Sequence, residues 1–124
     1  AEWPPPVAHT HPLGVTQAQT PVPISVPNVG GVEQWRTLVA AYFRAADVEL
    51  ALRIMGCESG GRPAAKNPNS SATGLFQHLG KYWASRSAAA GWGGFDRIHP
   101  EANIAVAAWL RDQKGGWLHW RACL

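Results

Sequence analysis

Charge is scarce in this chain. Only 15 % of its 124 residues are Asp, Glu, Lys or Arg, and eleven basic against eight acidic residues leave a net charge of +3. A surface so thinly charged has no dense basic stripe, so no nucleic-acid partner is expected. Long apolar runs are missing too. None approaches the roughly 20 residues that a bilayer-crossing helix needs, so no membrane span is expected and the chain reads as soluble. Neither a methionine nor a charged leader opens the sequence at Ala1, as in a mature secreted protein or trimmed chain whose signal peptide has gone. His9, His11, His78, His99 and His119 form no Cys/His spacing of a zinc motif. Neither a metal nor a cofactor is expected.

Cysteine is limited to Cys57 and Cys123, the minimum for a disulfide. Joined, they would close a long loop, a constraint of about 4 kcal/mol in the chain-entropy model, and would place the protein in an oxidising compartment. The alternative is two buried free thiols.

What is present is apolar: 46 % hydrophobic residues and seven tryptophans, enough for one domain with a core. Residues 1–30 hold most of the prolines. Proline fixes φ and removes a donor, so this stretch reads as an extended arm or linker. Trp3, Val22, Ile24 and Val26 would allow it to pack on the body; a spacer to another module is the alternative. Residues 31–124 form the domain proper.

Trp35, Leu38, Val39 and Tyr42 recur at helical spacing. Asp47 can cap a second helix with Val48, Ala51, Leu52 and Met55 on its buried face, stopped by Gly60-Gly61. Residues 62–71, rich in Pro, Asn and Ser, read as loop. A helix over 82–90 ends at Gly91, and Trp92-Gly93-Gly94-Phe95 reads as a loop with aromatics free to be exposed. His99-Pro100-Glu101 starts a helix with Pro at its first position and with Ile104, Ala105, Ala108 and Trp109 buried. Nothing demands a sheet of any size, so the fold class is mainly α, with little or no sheet.

Within this pattern Glu58 stands out. It falls in the last turn of the second helix, where the carbonyl ends disfavour an anion, with apolar Ile54 and Met55 one turn behind. Both features raise a carboxyl pKa and suit a general acid. A solvated helix-end glutamate is the alternative.

The stretch Glu58-Ser59-Gly60-Gly61, followed by Ala65-Lys66-Asn67 and by Ser70-Ser71-Ala72-Thr73-Gly74-Leu75-Phe76-Gln77, resembles the signature of soluble lytic transglycosylase catalytic domains. Pro100-Glu101-Ala102-Asn103-Ile104 is similar to a later helix of the same family. The Cys57-Glu58-Ser59-Gly60-Gly61 run is also similar to the resuscitation-promoting factors. The resemblance covers roughly residues 50–110. It implies a lysozyme-like domain that cleaves the bond between N-acetylmuramic acid and N-acetylglucosamine in peptidoglycan. It further implies a secreted or wall-associated monomer, or a virion-associated one if the chain is phage-encoded. The Ala-Tyr-Asn-Ala-Gly segment of the family has no counterpart here, so its tyrosine matches no position in this chain.

On this reading Glu58 first protonates the glycosidic oxygen and then acts as base, giving a 1,6-anhydro product. A hydrolytic lysozyme using the same glutamate, and a wall-binding module without turnover, are the competing functions. Asp96 is the place to look for a second carboxylate, with a turn-forming aspartate as the alternative. Ser59 either bonds the glutamate or braces the turn. Gln77 could bind a sugar hydroxyl or acetamido group. Phe76, Tyr82, Trp92 and Trp117 could stack on sugar rings, although most tryptophans of a small domain are core. Glu101 and His99 read as helix-start residues.

Overall fold

The computed structural model describes residues 30–124; the proline-rich arm expected over 1–30, apart from its last residue, lies outside them. A short 3-10 turn, Glu33–Trp35, leads into α1 (Arg36–Tyr42). A second, Ala45–Asp47, leads into α2 (Val48–Ser59). Then come α3 (Gly80–Ala89), α4 (Pro100–Arg111) and a C-terminal 3-10 segment, Gly116–Cys123. Extended pairing among the described residues is limited to two isolated antiparallel bridges, Lys66 with Thr73 and Thr73 with His78. The mainly helical expectation therefore holds, and the loop between α2 and α3 is pleated against itself.

The core is built around α4. Every residue from Glu101 to Leu110 is buried, where the periodicity marked only one face. Alanines at 102, 105, 107 and 108 let α1, α3 and the C-terminal segment approach it from different sides. Its start is as the sequence suggests: Pro100 occupies the first turn, and Nδ1 of His99 accepts the Ala102 N–H at 3.2 Å. Asp47 departs from expectation. It sits at the cap position of α2, but its side chain makes no capping bond. Instead its carboxylate lies 3.4 Å from Nε of Arg111, so it joins two helices rather than finishing one.

Two contacts fix the exit of α2. Gly60 takes the left-handed conformation, and its N–H reaches the carbonyls of Met55 and Gly56 at 3.2 and 3.0 Å, a glycine-terminated helix end. At Gly61, with φ +81°, a Cβ would lie 2.4 Å from the Gly31 carbonyl oxygen. The second glycine is required by this close approach, and the indole of Trp35 seals it by donating to the Gly61 carbonyl at 2.8 Å. Cys57 and Cys123 form a disulfide, with Cα atoms 5.8 Å apart, that ties the same end of α2 to the C-terminus.

Candidate active site

Glu58 is carried by the last turn of α2. The helix is held by Ile54 and Met55, both fully buried, and burial of each such side chain contributes about 1.5–3 kcal/mol. The disulfide at the neighbouring Cys57 and the Gly60-Gly61 stop restrain the same turn. Glu58 itself is half-buried. Its pKa lies above the ordinary carboxylate value, and burial is the cause. No cation and no hydrogen-bond donor among the described residues offsets that burial. The group is thus biased toward its protonated form, the state from which a carboxyl can give a proton.

The loop that follows is hydrogen-bonded back to this helix end. Ser59 is buried; its hydroxyl donates to the Met55 carbonyl at 3.2 Å and accepts from the Gly61 N–H at 3.1 Å. Of the two roles open to it, the turn brace is the one these bonds occupy. Arg62 bonds the Ser59 carbonyl through both its N–H and its Nε, Ala65 bonds the Arg62 carbonyl, and Gly74 bonds the Ala65 carbonyl. Gln77 closes the chain of bonds. It adopts φ +54°, and its Nε2 donates to Ala65 O at 2.9 Å and Gly74 O at 3.0 Å. Both amide hydrogens are thereby used inside the loop. What Gln77 can offer a ligand is its Oε1 acceptor.

The aromatic residues divide sharply. Phe76 is fully buried, packed against Phe43 and Trp120 with centroids at 5.7 and 6.0 Å. Trp92 is only 2 % exposed and meets Tyr42 and Phe95. Neither ring is available to stack on a sugar, which corrects the sequence expectation for both: rings from other elements, Phe43 and Trp120 for Phe76 and Tyr42 for Trp92, cover them. Tyr82 is 39 % exposed. Trp117 is partly exposed, stacked on Phe43 at 5.9 Å with the Arg111 guanidinium 5.2 Å from its ring centre.

Asp96 is exposed, and its Oδ1 accepts the Ile98 N–H at 3.0 Å, as a turn residue does. It lines a groove of about 620 Å³ between α3 and the 93–97 loop, while Gln77 and Tyr82 share another of about 290 Å³. Glu58 lines neither. The structure therefore groups Gln77 with Tyr82 and sets Asp96 apart from both.

No known protein family, curated protein or solved structure matches this chain. Among the described residues no three His, Cys, Asp or Glu side chains converge as metal ligands would, and Glu58 is the half-buried carboxylate whose pKa is raised.

Reading the sequence alone missed the supports of this region. Asn103, fully buried on α4, accepts the Phe76 N–H at 2.8 Å through Oδ1 and donates to the Arg97 carbonyl at 2.8 Å. The Asn103 carbonyl receives Nε2 of His78 at 3.0 Å. Burial holds the His78 pKa down at about 4, so the ring is neutral. Tyr42 donates to the carboxylate of Glu101, and burial together with that bond raises the phenol pKa. Asn103, polar at the head of the apolar run 104–110, was the available signal.

Proposed function

We propose that the protein cleaves the glycan strand of peptidoglycan between N-acetylmuramic acid and N-acetylglucosamine, as a lytic transglycosylase of lysozyme-like fold with Glu58 as its acid and base. One observation carries the reading: Glu58, within the sequence run that resembles that family, is half-buried on a braced helix end with its pKa raised. Protonated Glu58 gives its proton to the leaving glycosidic oxygen as the bond to muramic acid C1 breaks and positive charge develops there. The carboxylate so formed then takes the proton of the muramic C6 hydroxyl while that oxygen bonds C1. The product is a 1,6-anhydro ring, and no water is consumed.

A single carboxylate suffices for this course. A two-carboxylate glycosidase places its pair at a defined separation across the bond, and Asp96 lines a groove that Glu58 does not share. Tyr42, which donates to Glu101, does not stand in for the family's missing tyrosine. The Cys57–Cys123 bond fits an oxidising, extracellular setting, and no helix among the described residues is long and apolar enough to cross a membrane. We assign the protein to the wall side of the envelope or to a virion.

The deciding experiment is mass spectrometry of the fragments released from purified peptidoglycan, with Glu58→Gln run in parallel. Fragments one water lighter than ordinary muropeptides, absent with the variant, are the expected result. Reducing-end fragments would instead assign a lysozyme, and intact wall in every preparation would leave only binding.

A further inference from the structure

The groove of about 290 Å³ between α3 and the C-terminal segment has Gln77, Tyr82, Arg86, His119 and Arg121 in its wall and no carboxylate. Glu58 lines no part of it, and the other acidic side chains of the described residues are engaged elsewhere: Glu33 and Glu49 with Arg36, Asp47 and Asp112 with Arg111, Glu101 with Tyr42, and Asp96 in its turn. The Arg86 guanidinium lies 4.4 Å from the centre of the Tyr82 ring, and Nζ of Lys81 lies 5.0 Å from the same ring. Arg121 spends its Nε on the Leu118 carbonyl at 3.3 Å, which leaves its terminal nitrogens for a ligand. Burial lowers the pKa of Arg86; it also lowers that of His119, with repulsion from Arg86 and Arg121 adding to it and the bond of His119 Nε2 to the Lys114 carbonyl at 3.0 Å opposing it. Like charges drawn together and partly desolvated favour an incoming anion.

We propose that this groove binds a carboxylate of the peptide stem carried by the muramic acid residues of the glycan strand. The proposal rests on the peptidoglycan reading above and assigns a part of that substrate to a separate subsite. The planar forks of Arg86 and Arg121 match a carboxylate. The groove's size suits a short projecting peptide rather than a polymer backbone. Gln77 belongs both to this wall and to the hydrogen-bonded loop leaving the Glu58 helix, so one loop joins the two regions.

The test uses Glu58→Gln protein, which leaves ligands uncleaved. Calorimetry compares a disaccharide bearing a tetrapeptide with the peptide-free disaccharide, and NMR follows the His119 ring. Roughly ten-fold tighter binding of the peptide-bearing ligand is expected, with an upward shift of the His119 titration. Adding Arg86→Gln or Arg121→Gln, each checked for an unchanged NMR fingerprint, should remove most of that advantage and leave peptide-free binding as it was. Equal binding of the two disaccharides overturns the proposal, as does an advantage that survives both substitutions. A response of His119 to inorganic phosphate without any preference for the peptide overturns the stem assignment. Failure of the peptidoglycan reading is told apart by the wild type, which would then release nothing from the wall and bind neither disaccharide.

Discussion

Asn103 on the central helix holds the backbone of Phe76, 27 residues earlier, by accepting its N–H at 2.8 Å inside the core. Through the same amide it donates to the Arg97 carbonyl, so one side chain joins the loop after α2 to the loop before α4. Replacing it with leucine keeps the branching at Cγ but strands both backbone groups. Asn103→Leu should lose roughly 2–5 kcal/mol in urea unfolding. Gly74→Ala should be at least as damaging, because a Cβ there would lie 2.2 Å from the Asn103 amide nitrogen and 2.5 Å from the Arg97 carbonyl oxygen.

Glu58 should trade stability for function. Its folded pKa lies above its unfolded value, so folding favours the protonated form and a penalty grows as pH rises through the unfolded pKa and then the folded one. Glu58→Gln should therefore raise the melting temperature at pH 7 and change it little at pH 3, while abolishing cleavage. Cleavage by the wild type should fall on the alkaline side as Glu58 loses its proton. A variant no more stable than the wild type at pH 7 would remove the case for a destabilised acid.

His78 sets the opposite trend. Its ring titrates near 4 when folded, against an ordinary value of 6.5, so the unfolded chain binds the proton first. The stability tied to the neutral ring is complete above pH 6.5 and is lost as pH falls toward 4, on the order of 3 kcal/mol. His78→Gln should flatten that part of a denaturation-versus-pH curve. An unchanged slope would place the acid sensitivity elsewhere.

The disulfide closes a separation of 66 residues. Reduction, or Cys57→Ser with Cys123→Ser, should lower unfolding free energy by about 4 kcal/mol. Because the bond restrains the turn carrying Glu58, cleavage at a temperature where the reduced protein stays folded should fall as well. Activity assays run with and without reductant below the melting transition will separate the two effects.

Much of this was legible along the chain. Period and punctuation located the four α-helices of the described residues: the apolar spacing of α1, the Gly60-Gly61 stop of α2, Gly91 after α3 and Pro100 at the head of α4. Two cysteines gave their own pairing. Glu58 could be placed at a helix end with an apolar turn behind it, because both features are written within a few neighbouring residues.

Other features exist only between distant segments. Whether Phe76 and Trp92 are walls of a cleft or pieces of the core depends on Phe43, Trp120 and Tyr42, which approach from other elements. The Tyr42–Glu101 bond spans 59 residues, and Asp47 passed over its local cap for Arg111. The basic groove needs α3 beside the C-terminal segment. Local sequence determined which backbone each stretch adopts, since that choice rests on near-neighbour sterics and capping. The tertiary structure decided which side chains meet, since burial and desolvation are properties of the packed whole.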